Sequence, residues 1–405
     1  MAELIIISDD LTGALDTAVQ FAKKGAATVV MTDMRKLSDI PNNYDVITVN
    51  TESRHLSAEK AADAVRFAAD LGGGLGVKYY YKKIDSTLRG NVGAELEALL
   101  DACESDNINE HELMLIPSYC KLGRTIKDGR LYVNGVPLHE TAFNKDPLNP
   151  MNKSGIADII AKQSNIPVVP IKNLADLPFA DKNKKIYLFD AETDEDIYEI
   201  GEYLMSKNRI NITAGSAGFA EFLSDLPVFP KRCAENLKFN LPMLTVCGSL
   251  NEVSRRQAEY AAGLGHHNHI IGIDIETPDV CALKHSKDQA VDFLKKGDNV
   301  IIKTNPPDNL RPLNISDNLG HFVKSVIDES SISTLTVFGG DTCAGILNNL
   351  GIFCLEPLKE IMPGVALSKT VNSGCNLNLI TKAGGFGGDD LIEKIVLYLN
   401  LKGHQ

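Results

Sequence analysis

The sequence predicts an α/β protein of two domains, each a mostly parallel sheet flanked by helices, with a β-hairpin insertion in the first. Three observations carry that expectation. Short β-branched runs alternate with amphipathic helical stretches along most of the 405 residues. The alternation breaks at a proline-bearing segment, residues 224–242, and then restarts. An Asn134-Gly135 pair sits between two strand-like arms, a strong hairpin signal.

In chain order, "LIII" (4–7), "TVVM" (28–31), "DVITV" (45–49) and "VKYYYKKI" (77–84) read as strands. Between the first two, "GALDTAVQFAKKG" places Leu15, Ala18, Val19 and Ala22 on one helical face and ends at Gly25, suited to a helix C′ position. "SAEKAADAVRFAADLG" reads as a helix from Ser57, its N-cap, to Gly72. "RLYVNGVPL" (130–138) is the hairpin, inside a Gly- and Pro-punctuated stretch from Pro117 to Pro150. The strand rhythm resumes at "KIYLFDA" (185–191) and "INIT" (210–213). Residues 224–242 hold three prolines without clear periodicity and read as the connection, giving domains 1–230 and 243–405 with 231–242 as linker. The second alternation runs "MLTVC", "IIGIDI", "NVIIKT", "TLTVF", "VALSKTV" and "LNLITKAGG".

Composition narrows the function. A net charge of −12 argues against nucleic acid or an anionic membrane as partner, so cations beside glycine turns become informative. The eight cysteines form no CxxC pair, which leaves free thiols as the expected state. "MAELIII" lacks the basic start of a signal peptide, and no window is apolar enough for a membrane span, so a cytoplasmic location is expected. GxxxxGK[ST], GxGxxG after a strand, HExxH and GxSxG do not occur. "GHHNHI" (265–270) reads as a solvated turn.

Function in parallel sheets gathers at the C-terminal strand ends. Three polar segments fall there in the first domain: "SDDLTG", "NTESRH" (50–55) and "KKIDSTLRGN" (82–91). They supply acids, hydroxyls and cations, a set suited to a hydroxylated anion, with Lys121 and Arg124 close behind. The adjacent Asp9 and Asp10 raise a choice between capping a helix and reading a polyol; the company of the other two segments favours the polyol. In the second domain three glycine turns follow strands: Gly248-Ser249, Gly339-Gly340-Asp341-Thr342, and Gly384-Gly385 with Gly387-Gly388. Such turns ahead of helices suit nucleotide phosphates.

Seven segments together give a resemblance to the four-carbon acid sugar kinases: "DDLTGALDTAVQFAKKG", "KKIDSTLRGN", "GRTIKDGRLYVNGVPLHETAFNKDPLNP", "CGSLNEVSRRQ", "VFGGDT", "EPLKEIMPGVALSKT" and "TKAGGFGGDD". The resemblance spans the chain and implies a sugar-acid-binding first domain and an ATP-binding second domain. It implies Mg²⁺- and ATP-dependent phosphorylation of the terminal hydroxyl of a four-carbon acid, D-threonate first, with D-erythronate and 3-oxo-tetronate as alternatives. Of other classes, a small-molecule phosphatase using Asp9 and a non-catalytic sugar-acid sensor stay open, as does self-association. Carried over by residue, the acid would meet Asp9, Asp10, Arg54, Lys83, Ile84, Asp85 and Ser86. The nucleotide would meet Ser249, Gly339, Gly340, Asp341, Thr342, Gly384 and Gly385. Arg54 and Lys83 are expected to neutralise the substrate carboxylate while the aspartates take its hydroxyls. Asp341 is the candidate for orienting Mg²⁺ or accepting the hydroxyl proton; metal ligands are not assigned.

Overall fold

A computed structural model describes residues 2–39, 43–105, 111–146, 149–179, 183–232, 241–248, 251–265, 268–274, 279–304, 313–371, 374–382 and 385–403. The chain divides into two units, Met1–Arg232 and Cys233–Gln405. Most of the expected linker, residues 233–240, lies outside the described residues, as do Ser249, Gly384, His266 and His267.

The first unit runs β1 (Leu4–Ser8), α1 (Leu11–Ala22), β2 (Thr28–Met31), β3 (Val46–Asn50), α2 (Ala58–Leu75), β4 (Tyr79–Lys83), α3 (Val92–Ser105) and β5 (Glu112–Ile116). A small antiparallel sheet follows: β6 (Arg124–Lys127), β7 (Arg130–Val133) and β8 (Val136–Pro137). Then come α4 (Ile156–Ile160), β9 (Val168–Ile171), β10 (Lys185–Phe189), α5 (Asp194–Ser206), β11 (Ile212–Gly215) and α6 (Ala217–Leu223). The large sheet has the order β2-β3-β1-β4-β11-β5-β10-β9, with its strands parallel. β1 is buried along its whole length, as a strand covered on both faces must be. The chain turns from one side of β1 to the other between β3 and β4, which opens a crevice at their C-terminal ends. The hairpin turn is built as its residues demand: Asn134 and Gly135 both have positive φ, 51° and 79°.

Helix ends depart from expectation in two places. Ser57 caps α2 as expected, but the helix passes Gly72 and stops at Leu75, with Gly76 left-handed at φ 70°. Gly72 answers to packing instead: a Cβ there would lie 2.9 Å from Ile5 and 3.0 Å from Tyr80. α1 ends at Ala22 with Lys23 as its C-cap, and Gly25 takes its positive φ of 98° just beyond.

The second unit runs β12 (Met243–Cys247), α7 (Glu252–Gly263), β13 (Asn268–Ile273), α8 (Val280–Lys295), β14 (Asn299–Thr304), α9 (Leu313–Ser330), β15 (Thr334–Phe338) and α10 (Gly340–Leu350). It ends with β16 (Cys354–Met362), β17 (Val365–Thr370), β18 (Asn378–Lys382) and α11 (Leu391–Gly403). The strand order within it is β13-β14-β12-β15-β18-β17-β16. The first five of these strands are parallel; β17 is antiparallel to both β18 and β16. β16 gave no strand signal, because "CLEPLKEIM" carries Pro357 and three charged residues, and its register shifts between Pro357 and Lys359. Again the path reverses, here between β14 and β15 on either side of β12. Among the described residues no helix is long and apolar enough to cross a membrane.

Candidate functional site

The three polar segments of the first unit meet at the ends of β1, β3 and β4, where Ser8, Asn50 and Lys83 stand in one row. Arg54 is the hub. Its Nε and Nη2 donate to Asp9 (2.7 and 3.1 Å), and its Nη1 donates to Asp10 Oδ2 at 3.0 Å. Nη2 also lies 2.9 Å from Asp10 Oδ1 and 3.8 Å from Asp85. Asp85 in turn grips Arg89 through Nε (2.8 Å) and Nη2 (2.9 Å) and accepts from the Thr87 hydroxyl. Arg89 reaches on to Asp146 at 3.3 Å and lies 5.5 Å from the centroid of the Phe143 ring.

Two expectations change. Asp10 does cap the helix: Oδ1 accepts from Gly13 N at 3.0 Å and Oδ2 from the Thr12 hydroxyl at 2.7 Å. The choice between a cap and a polyol contact was therefore too sharp, since one carboxylate has several acceptor sites. Arg54, expected to face a substrate carboxylate, instead spends its fork on Asp9 and Asp10, which repel each other without it. The same grip on both oxygens of Asp9 does not suit a phosphatase nucleophile.

Electrostatics follow this geometry. Burial alone would raise the Asp10 carboxyl, but Arg54, Lys83 and the Thr12 hydroxyl outweigh it and hold its pKa below the ordinary value. At Asp85 burial is likewise overcome, by Arg89, Arg54 and the Thr87 hydrogen bond, and its pKa falls well below. Lys83 is 4% exposed, and Nζ donates to Ile84 O at 3.0 Å. It stands beside Asp10 with hydrogens to spare, because an ammonium has three. The Ile84 side chain is in the core; its backbone N–H goes to Gly215 O. Ser86 is partly exposed next to this cluster.

A second buried cation went unread in the sequence. Lys82, the neighbour of Lys83, points to the other face of the sheet and pairs with Glu95 of α3 at 2.9 Å, both fully enclosed. Glu95 also accepts from the Ser53 hydroxyl at 2.5 Å, so the residue preceding Arg54 is tied to α3. Asn91 completes the anchor by donating to Ser53 O and Leu56 O, each at 3.0 Å. The clue available in the sequence was a pair of lysines on one interior strand, which period-2 alternation sends to opposite faces.

In the second unit the parallel register aligns Cys247, Phe338 and Lys382 at the ends of β12, β15 and β18. Each is followed by one of the glycine turns. Gly248 is needed for close approach, since a Cβ there would run into the Thr342 side chain. Gly339 carries the positive φ of its turn, 107°, and its N–H donates to Lys382 O at 3.1 Å. Gly340 opens α10. Asp341 is exposed in the first turn of α10 and Thr342 is buried beside it. A Cβ on Gly385 would lie 3.8 Å from Asn251 Nδ2, an ordinary contact. The described residues contain no group of three or more His, Cys, Asp or Glu able to hold a metal ion.

Two family models match this chain in tandem: a sugar-binding N-terminal domain over residues 4–223 and a nucleotide-binding C-terminal domain over 244–392. A D-threonate kinase of Salmonella typhimurium is 32% identical over 98% of each chain. This chain belongs to the four-carbon acid sugar kinase family. Among the kinase's other relatives are a D-erythronate kinase of Heliobacterium modesticaldum, 27% identical over 99% of this chain and 98% of its own. A 3-oxo-tetronate kinase of Methylobacterium radiotolerans is 25% identical over 95% and 96%. The kinase shares its fold with a solved Salmonella typhimurium protein at TM-score 0.79 and 20% identity, covering 98% of this chain and 99% of that one. The acidic cluster of the kinase falls in the stretch matched as sugar-binding, and its glycine turns in the stretch matched as nucleotide-binding.

Proposed function

We propose that this kinase transfers the γ-phosphoryl group of ATP to the terminal hydroxyl of a four-carbon sugar acid, D-threonate before D-erythronate. The observation that carries the proposal is the Asp9–Asp10–Arg54–Asp85–Arg89 cluster with Lys83 beside it. Arg54 and Arg89 hold Asp10 and Asp85 ionised, and ionised aspartates are acceptors for a polyol's hydroxyls. With Arg54 occupied, Lys83 is the cation assigned to the substrate carboxylate, a charge-assisted contact in a buried setting. The preference for D-threonate rests on the 32% identical relative and on the basic "KKIDSTLRGN" segment.

Phosphoryl transfer needs positioning and neutralised charge rather than covalent help from the protein. The glycine turns are assigned to the nucleotide phosphates through backbone N–H groups, with Gly339, Gly340, Thr342, Gly385 and the undescribed Ser249 and Gly384 as contacts. Mg²⁺ is commonly bound by one or two carboxylates and the substrate's own phosphates, and Asp341 provides such a carboxylate. When bound, Mg²⁺ supplies charge neutralisation; Asp341 is assigned either to hold it or to accept the hydroxyl proton.

ADP release tests this across D- and L-threonate, D- and L-erythronate, 3-oxo-tetronates and 4-hydroxythreonine, with and without Mg²⁺. D-Threonate should give the highest kcat/KM. Background release with every acid refutes the activity, and turnover of 3-oxo acids alone refutes the substrate assignment.

A further inference from the structure

Lys382, at the end of β18, is 0% exposed. Its Nζ donates to Gln257 Oε1 at 2.7 Å and to Ser254 Oγ at 2.9 Å, both on α7, and lies 4.5 Å from the centroid of the Phe338 ring. The far side of the same Gln257 amide collects three successive carbonyls. Nε2 donates to Phe386 O at 2.9 Å, Gly387 O at 3.1 Å and Gly388 O at 2.9 Å. The amide has no freedom to flip, because Lys382 offers only donors and so fixes Oε1 toward itself and Nε2 toward the turn.

A trans peptide points its N–H opposite to its C=O. Three carbonyls gathered on Gln257 therefore aim the N–H groups of Gly387, Gly388 and Asp389 away from it, as a concave set of donors. Among the described residues those three N–H groups have no acceptor. Gly387 adopts φ 83°, and a Cβ on it would lie 3.3 Å from Gln257 Nε2, so the clasp and the turn fit each other closely. Burial lowers the Lys382 pKa to about 8, which marks how completely α7 and the strand ends enclose it.

We infer that Gln257, locked in orientation by Lys382, is a positioning residue that presents the N–H groups of Gly387, Gly388 and Asp389 to the phosphates of the nucleotide. The inference rests on the reading of the glycine turns as the nucleotide site, and extends it to a donor set and to two buried side chains that touch no ligand themselves.

Steady-state kinetics and ATP calorimetry on the full chain test it with Gln257→Glu and Lys382→Met. The first keeps shape and the acceptor for Lys382 but removes the donors; the second keeps bulk but releases the amide. Each should raise KM for ATP roughly ten- to a hundredfold, the effect of losing hydrogen bonds to a charged ligand. KM for the sugar acid should stay within twofold. A purely structural role would lower the melting temperature and leave KM for ATP alone. ATP affinity equal to wild type in both variants overturns the clasp, as does equal loss of ATP and acid binding. Failure of the wild-type protein itself to bind ATP would overturn the underlying nucleotide assignment instead.

Discussion

Gly13→Ala separates the helix cap from the ligand site with one methyl group. Gly13 lies in the first turn of α1, where its N–H donates to Asp10 Oδ1. A Cβ there would sit 2.5 Å from Asp10 Oδ1, 2.9 Å from Lys83 Nζ and 3.2 Å from Ser8 Oγ. Asp10 Oδ1, the nearest atom, must shift against the hold of Arg54, and the flexible end of Lys83 must yield with it. Stability should fall only by the strain at the Asp10–Arg54 contact, because the other two effects cancel. Disturbing the cap costs about 1 kcal/mol, and alanine in place of glycine in a helix returns roughly the same amount. Acid affinity should change a great deal, because a displaced ammonium forfeits a charge-assisted bond of roughly 1.5–3 kcal/mol, or about ten- to a hundredfold. Calorimetry with D-threonate and with ATP, alongside thermal melting, reads all three quantities. An acid affinity within twofold of wild type at an unchanged melting temperature would refute the placing of the anion at Lys83.

Lys83→Met should raise KM for the acid by roughly ten- to a hundredfold and leave KM for ATP unchanged; an unchanged KM for the acid would place Lys83 outside the ligand's reach. Asp10 and Asp85 have folded pKa values below the ordinary 3.8, so their stabilisation is complete above about pH 5 and is lost as pH falls through 3.8 and below. Melting curves across that range should show the loss. Arg54→Met should lower stability at neutral pH by about 3–5 kcal/mol, by leaving buried carboxylates without their cation, and should flatten the acid slope. Gly339→Val forces a β-branched residue to φ 107° and should weaken ATP at least about tenfold while acid binding survives, measured by calorimetry with each ligand.

Strands were legible because their signal is local. "TVVM" is β2 residue for residue, and the polar segments after "LIII", "DVITV" and "VKYYYKKI" do converge at strand ends. Partnerships were not legible, because they join residues far apart. Arg54 meets Asp9 across 45 positions and Gln257 meets Phe386 across 129. No periodicity encodes such a pairing, and so the contacts of Arg54 with Asp9 and Asp10 could not be read from the sequence. The separate parts of Gly339 and Gly340 were hidden for a finer reason. In "GGDT" the two glycines look alike, and only the backbone shows that the first bends and the second begins the helix. β16 was hidden because a proline and alternating charges mask a strand wherever its side chains need not form an apolar stripe.

The adjacent lysines of β4 also make the strand check its own alignment. Lys82 answers Glu95 on one face and Lys83 stands by Asp10 on the other. Sliding β4 by one residue in one direction puts Tyr81 opposite Glu95; sliding it the other way puts Ile84 beside Asp10. The first error strands the buried Glu95 without a cation, at a cost of several kcal/mol, and the second takes one of its two cations from Asp10, which keeps Arg54. An uninterrupted apolar strand would tolerate such a slip far better, since one β-branched side chain replaces another at little expense. The two charges thus act as a proofreading mark at the centre of the sheet, refusing alignments that hydrophobicity alone would accept.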